Sequence, residues 1–116
     1  MKISIIGSGY VGLVSAVGFA SIGHKVICVD KRSEVVDSIN NGIAPIHENG
    51  LPEMLAENVP KNISATTDLA WAVRNTDITF IAVGTPTNDG QIDLTYVEGA
   101  AYEVGLGIAE KDTFHV

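Results

Sequence analysis

A glycine-rich run, Gly7-Ser-Gly-Tyr-Val-Gly12, lies between an apolar segment that predicts a β-strand, residues 2–6, and a stretch that predicts a helix, residues 10–22. Asp30 ends the next apolar segment, residues 25–29, about 20 residues after the glycines. A GxGxxG run alone is weak evidence, because glycine-rich hexads arise by chance in loops. The flanking strand, helix and acid together indicate a dinucleotide-binding turn. A glycine turn that packs helix on strand without a ligand is the alternative.

Each glycine of the run has a physical role in this interpretation. Gly7 is expected to adopt the backbone angles of a tight turn, and Gly9 to let a pyrophosphate approach the backbone. Gly12 is expected to bring the helix close to the first strand. The free N–H groups of the first helical turn, at the positive end of the helix dipole, would then face the phosphates.

The rest of the chain alternates predicted helices and strands. Helices are predicted after an N-cap at Ser33 as far as Ile39, over 52–58, from the cap Thr67-Asp68 to about 75, and from the cap Asp93 to about 109; strands are predicted at 62–65 and 78–83. The near-continuous apolar run at 78–83 predicts a strand buried on both faces. Asn88-Asp89-Gly90 predicts a turn.

Two further expectations concern the carboxyl-terminal part of the chain. The last helix is expected to place an apolar face toward the core, formed by Leu94, Val97, Ala101, Val104 and Ile108. Residues 114–116 resemble the opening of a fifth strand that is cut short.

This alternation predicts an α/β fold: a doubly wound parallel sheet of the Rossmann type, forming one domain over residues 1–116. Right-handed crossovers predict the strand order 3-2-1-4, with a truncated fifth strand outside the fourth. The ligand crevice then lies at the carboxyl ends of strands 1 and 4. Residues 7–12, Asp30 and residues 84–87 all fall at those ends and converge on it.

Charge and cysteine content exclude several functions. The formal net charge of −7 argues against nucleic-acid and anionic-membrane partners, which reward clusters of Lys and Arg. The single cysteine, Cys28, cannot form an internal disulfide, is predicted to be a buried strand thiol rather than a nucleophile, and is compatible with a cytoplasmic location.

No metal-ligand spacing is present, and His24 is expected to be a turn residue. The apolar stretch 10–22 is too short to span a bilayer.

The residue that ends strand 2 predicts the cofactor. The Asp30 carboxylate can accept hydrogen bonds from the hydroxyls of an adenine ribose and repels a 2′-phosphate, which favours NAD over NADP. Lys31 and Arg32 follow directly and complicate this prediction, because a basic residue here can serve a 2′-phosphate. A solvated loop is the other interpretation of these two cations.

At this point the chain resembles the N-terminal cofactor domain of the UDP-glucose/GDP-mannose 6-dehydrogenases. The resemblance extends over essentially all 116 residues and rests on segments that occur in a fixed order: the first strand and glycine turn through Leu13, Gly23-His24, Val29-Asp30, residues 39–51 with Pro-Ile-His-Glu-Asn-Gly-Leu, Ala82-Val-Gly-Thr-Pro-Thr87, and Asp93-Leu94. A β-hydroxyacid or hydroxyacyl dehydrogenase domain shares the fingerprint but not these segments.

The resemblance implies roles for particular residues. The backbone at Tyr10 and Val11 would contact the pyrophosphate, and Asp30 the adenine ribose. The loop of Gly84, Thr85 and Pro86 would extend the cofactor site toward the nicotinamide. A basic residue that such families often carry five positions after the acid is replaced here by Val35. Glu48 and His47 match a family loop, where they contact the ligand or order the loop.

Enzymes of this family oxidise the C6 alcohol of a nucleotide sugar to a carboxylate in two NAD-dependent steps, through a covalent adduct on a cysteine. The corresponding cysteine lies beyond Val116, so we expect no catalytic residue in this chain and no activity from it alone. A stand-alone NAD(H)-binding module is the alternative. An exposed strand 4 or ragged strand 5 is also expected to favour homo-oligomers.

Overall fold

A parallel sheet of four strands forms the centre of the computed structural model, which describes residues 1–116. Its strand order is β3-β2-β1-β4, as the sequence predicts. The elements in chain order are β1 Lys2–Ile6, α1 Tyr10–Ser21, β2 Lys25–Val29, α2 Ser33–Asn40, α3 Leu51–Asn58, β3 Ile63–Thr66, α4 Leu69–Arg74, β4 Ile78–Ile81, β5 Thr87–Asn88, β6 Gln91–Ile92 and α5 Thr95–Ala109. No helix is long and apolar enough to cross a membrane.

Alternate side chains of β1 and β2 enter separate hydrophobic layers on the two faces of the sheet. Ile3 and Ile5 of β1 pack with α1, α2 and α3 in the larger layer. Ile6 packs with α4 and α5 in the smaller one. This two-sided arrangement follows from the period of two along a strand, and it confirms the doubly wound fold.

The turn between β1 and α1 is packed too tightly for side chains at two of its glycines. Gly7 has φ +102°, and a Cβ built on it would lie 2.5 Å from the carbonyl oxygen of Ala82. A Cβ on Gly12 would lie 1.8 Å from the carbonyl oxygen of Gly7. Gly12 therefore brings the helix against the turn itself, at the end of the first strand.

Several element boundaries differ from those predicted. Helix α2 begins at Ser33 itself, after Arg32, and its cap has no side-chain hydrogen bond. Asp68 caps α4 as predicted, accepting a hydrogen bond from the N–H of Trp71. The predicted turn at 88–90 joins the antiparallel pair β5 and β6, a hairpin that the sequence prediction missed. Asp93 lies one residue before the N-cap of α5, and its carboxylate accepts hydrogen bonds from Thr95.

The prediction that strand 4 is buried on both faces is wrong. The strand ends at Ile81 rather than at residue 83, and the side chains of Phe80 and Ile81 are exposed. Phe80 stacks on Phe19 of α1 with ring centroids 5.3 Å apart, which covers only part of it. The second half of β4 therefore forms surface in this chain, while Ile78 packs half-buried against the larger layer.

The predicted inward face of α5 is only partly correct. Ala100 and Gly107 are the buried residues of the helix, whereas Leu94, Ala101 and Ile108 are exposed. A Cβ on Gly107 would lie 2.9 Å from the Cβ of Val73, so α5 approaches α4 most closely where it has no side chain. Small residues, rather than the largest apolar ones, thus decide which face turns inward. Val97 and Val104 are half-buried beside them.

The two edges of the sheet differ in what pairs with their backbone N–H and carbonyl groups. At the β3 edge, the Asn40 side chain donates to the carbonyl oxygen of Ala65 at 3.0 Å and accepts from its N–H at 2.8 Å, as a neighbouring strand would. At the β4 edge, Val116 bonds to the Asp77 carbonyl oxygen and the Thr79 N–H. No strand is assigned there, so the predicted fifth strand is represented by this one residue.

A series of polar side chains links the sheet to residues 111–116. The hydroxyl oxygen of Thr79 lies 2.7 Å from the hydroxyl oxygen of the buried Ser4 and 2.7 Å from Nε2 of His115. Nδ1 of His115 lies 2.9 Å from the Lys111 ammonium, which also donates to the Thr76 carbonyl oxygen. These contacts hold residues 111–116 against β4.

We expect the glycines of α1 to respond oppositely to the same substitution. Gly12→Ala should lower the free energy of unfolding by about 3 kcal/mol or more, because its methyl group would overlap the Gly7 carbonyl. Gly18→Ala should raise it by up to about 1 kcal/mol, because Gly18 is exposed and a Cβ there meets nothing within 4 Å. Urea unfolding followed by circular dichroism measures both. Equal effects of the two changes would contradict the packing described for Gly12.

A pH dependence of stability is expected from His115. Burial, and then the charge of Lys111, lower the pKa of His115 below its ordinary 6.5, against smaller opposing effects of Thr76 and Asp77. The unfolded chain therefore binds the proton at higher pH than the folded chain, and stability should be lost as the pH falls through the unfolded value. Urea unfolding at about pH 7.5 and about pH 5.5 measures the loss.

The matched variants for this experiment are His115→Gln and His47→Gln. His115→Gln should reduce the loss, whereas His47→Gln, at an exposed loop position, should leave it unchanged. The same loss in both variants would show that another group causes it.

Candidate functional site

A cavity of about 530 Å³ opens at the carboxyl ends of β1, β2 and β4. Its walls come from segments that are far apart in the chain: the glycine turn, the end of β2 with the residues that follow, the start of α4, the segment after β4, and α5. The lining residues are Ile6, Gly7, Ser8, Gly9, Val29, Asp30, Lys31, Arg32, Thr67, Leu69, Ala82, Val83, Gly84, Tyr96, Ala100 and Glu103.

The structure brings about half of the predicted site residues together in this cavity. Those that line it are Gly7, Gly9, Asp30, Lys31, Arg32 and Gly84; those that do not are Tyr10, Val11, Gly12, Thr85 and Pro86. Gly12 is buried beneath the turn, while the other residues outside the lining are exposed. The predicted convergence of three loops on one crevice is therefore seen in the geometry.

Asp30 is the buried acid of the cavity. Its Oδ2 accepts a hydrogen bond from the backbone N–H of Ser8 at 3.1 Å, which ties the end of β2 to the glycine turn. Arg32 bonds to the same carboxylate through its backbone and its guanidinium. Burial pushes the pKa of Asp30 upward, but the hydrogen bonds from Arg32 and Ser8 and the charge of Arg32 together outweigh burial and bring that pKa below its usual value. The carboxylate is therefore ionised at neutral pH.

The start of α1 offers unpaired donors beside this acid. The N–H groups of Gly9, Tyr10, Val11 and Gly12 have no hydrogen-bond partner in the chain, and the helix has neither a side-chain cap nor an acid in its first turn. A Cβ on Gly9 would meet nothing within 4 Å, so the space in front of the turn is open. Open space beside free N–H groups at a helix N-terminus fits the phosphates of a dinucleotide.

Sequence reasoning missed one wall of the cavity, which α5 provides. Tyr96, Ala100 and Glu103 recur at intervals of four and three residues, so they lie on one face of that helix. This spacing is a signal that the sequence contains. The prediction did not use it, because it assigned the inward face of the helix to the apolar residues at 94, 97, 101, 104 and 108. Thr67 and Leu69, before and at the start of α4, were missed as well.

Glu48 is half-buried in the loop before α3. Its carboxylate raises the pKa of the Tyr10 phenol at the start of α1, by hydrogen bonding and then by its negative charge. His47 is exposed, and Val35 is buried in the hydrophobic core, where a basic side chain would not fit.

The remaining candidate for covalent chemistry is unreactive. Burial, and to a smaller extent the charge of Asp30, raise the pKa of the Cys28 thiol to about 12. Cys28 is 1% exposed within β2 and is therefore a core residue. No group of three or more His, Cys, Asp or Glu side chains is arranged to hold a metal ion.

The sequence profile of the UDP-glucose/GDP-mannose dehydrogenase family, NAD binding domain, matches residues 1–115. The chain belongs to this family. Its NAD-binding domain is the part represented here, so NAD is the cofactor. The GxGxxG turn, the buried acid and the four parallel strands are the features of the structure that correspond to it.

Relatives of known activity agree with this assignment. A UDP-glucose 6-dehydrogenase from Bacillus subtilis is 47% identical over 106 residues, which cover 90% of this chain and 23% of the relative. A GDP-mannose 6-dehydrogenase from Pseudomonas syringae is 44% identical and is matched over 99% of this chain and 27% of its own length. The chain therefore spans about a quarter of the length of the curated relatives it matches.

Solved structures show the same fold. A ternary complex of GDP-mannose dehydrogenase from Pseudomonas aeruginosa superposes with a TM-score of 0.96 at 44% identity, over 99% of this chain and 27% of that one. A UDP-glucose dehydrogenase from Pyrobaculum islandicum gives 0.93 at 45% identity, over 98% of this chain and 27% of that one.

Proposed function

We propose that residues 1–116 form the cofactor-binding domain of a longer nucleotide-sugar 6-dehydrogenase of the UDP-glucose or GDP-mannose type. The enzyme would oxidise the C6 alcohol of the sugar to a carboxylate with two molecules of NAD. The convergence of the glycine turn, Asp30 and Gly84 on one cavity carries this proposal. The relatives, which are dehydrogenases about four times as long, support it.

The geometry suggests how the chain would hold the cofactor, which accepts hydride in such enzymes. The free N–H groups from Gly9 to Gly12 would bind the pyrophosphate. Asp30 would accept hydrogen bonds from the adenine ribose, with Lys31 and Arg32 beside it. Gly84, Thr85 and Pro86 would form the wall on the nicotinamide side.

This chain supplies binding and orientation but no nucleophile. Cys28 is buried, and burial is the main cause of its raised pKa, so it cannot form a covalent adduct with the substrate. We propose that the nucleotide sugar is bound by the remainder of the full-length enzyme and that the enzyme is cytoplasmic. Nucleic acid and membrane are not expected as partners of an acidic chain with this site.

Gly9→Val tests the cofactor site without disturbing the packing around it. Gly9 has φ −79° and open space around its Cβ position, so valine fits the folded chain but fills the region proposed for the pyrophosphate. We expect NAD binding to weaken about ten-fold or more, which corresponds to about 1.4 kcal/mol. Calorimetric or NMR titration with millimolar NAD measures it, with thermal unfolding as the check on folding.

Gly18→Ala is the matched control, because it adds a methyl group on the far side of the same helix and should leave NAD affinity unchanged. A folded wild-type chain that binds no NAD at millimolar concentration would refute the proposed site. Oxidation of UDP-glucose or GDP-mannose by this chain alone would refute the proposal that the chain lacks the catalytic residues.

We also propose that the chain self-associates through the exposed surface beside β4. Phe80, Ile81 and Phe114 are exposed apolar side chains there, and only Val116 pairs with that edge of the sheet. We expect sedimentation velocity to show a concentration-dependent dimer or larger species, because apolar surface and unpaired strand edges favour association. Ile81→Lys should shift the species toward monomer. A monomer at all concentrations would contradict this proposal.

A further inference from the structure

The Asp30 carboxylate is fully occupied within the chain itself. An ionised carboxylate offers about four acceptor positions. Its Oδ1 accepts from the backbone N–H of Arg32 at 3.0 Å and from Nε of the same residue at 3.0 Å. Its Oδ2 accepts from the backbone N–H of Ser8 at 3.1 Å and from Nη2 of Arg32 at 3.2 Å. A ribose therefore finds no free acceptor position while Arg32 stays in place.

The donors to Asp30 differ in how easily they can leave. The N–H groups of Ser8 and Arg32 belong to the backbone, so their departure would require the glycine turn or the loop after β2 to rearrange. The guanidinium belongs to a side chain that is 60% exposed, and it can rotate into solvent. Its two N–H donors occupy two acceptor positions of Asp30, and the two hydroxyls of a vicinal diol would need the same number.

The paired guanidinium also has donors to spare. Arginine carries five N–H groups, and Asp30 uses one on Nε and one on Nη2, which leaves three. These lie on an exposed side chain that lines the cavity, with the ammonium of Lys31 on the adjacent residue. The pair hides the negative charge of Asp30 and presents donors suited to a phosphate, which arginine binds through its planar fork.

We propose that Arg32 switches the ribose subsite between two ligands. Swung away, it exposes Asp30 for the 2′- and 3′-hydroxyls of NAD; paired with Asp30, it accepts the 2′-phosphate of NADP. The inference rests on the proposed placement of the adenine ribose at Asp30. Arg32 should therefore set the ratio of the affinities of the domain for the two cofactors.

The adenosine halves of the cofactors, 5′-AMP and 2′,5′-ADP, test the switch directly by calorimetry on the 116-residue chain. Arg32→Ala should bind 5′-AMP about two- to five-fold more tightly, the range expected from removing one exposed ion pair that competes for Asp30. The same variant should bind 2′,5′-ADP at least about ten-fold more weakly, because it loses a charge-assisted contact and leaves Asp30 facing the phosphate.

Lys31→Ala is the matched control, since it removes the same charge from the next residue without releasing Asp30. It should not tighten binding of 5′-AMP. Arg32→Lys keeps the charge and loses the planar fork. The ratio of its affinities for 5′-AMP and 2′,5′-ADP should therefore fall between the ratios of the wild type and of Arg32→Ala. In NMR spectra, the Arg32 Nε–H signal should shift on addition of 5′-AMP and stay near its original position with 2′,5′-ADP.

Unchanged or weaker binding of 5′-AMP by Arg32→Ala would overturn the switch, as would an unchanged ratio of the two affinities. If the wild type binds NAD but the variants show these results, the inference fails while the proposed cofactor site stands. If the folded wild type binds neither NAD nor the two nucleotides, both fail.

Discussion

The close packing around Gly7 is the constraint on which the rest of the structure depends. Its N–H donates to the carbonyl oxygen of Val29 at 2.7 Å, and its Cα approaches the backbone of Ala82 after β4. Its own carbonyl is covered by Gly12 at the start of α1. The ends of β1, β2 and β4 therefore meet at one residue without a side chain. That residue also lines the cavity that opens at these strand ends.

Much of the fold was predictable because its determinants are local. The strand order and the turn follow from short apolar runs, from glycines and from the acid that ends β2, all of which are visible along the chain. The acid was correctly placed at the cavity because the ends of adjacent parallel strands must lie at one edge of the sheet. Asp68 was a correct cap because a cap depends on residues three positions apart.

The errors arose where distant packing decides the outcome. The face of α5 is set by contact between Gly107 and Val73, and the absence of a side chain gives no hydrophobic signal in a helical pattern. β4 was expected to be buried because a near-continuous apolar run is typical of a strand that is covered on both faces of the sheet. At the site, Arg32 pairs with Asp30 because the loop after β2 turns the arginine side chain back toward the carboxylate. The spacing of the two residues along the sequence does not determine this turn.

The side chain of Asn40 has a consequence for how this sheet can be extended. By occupying the N–H and carbonyl of Ala65, it blocks strand pairing at that residue on one edge of the sheet. The opposite margin already accepts Val116. A new strand could therefore pair with Ala65 only by displacing this amide, whether it came from the same polypeptide or from another molecule. A single side chain thus makes the sheet easier to extend beside β4 than beside β3.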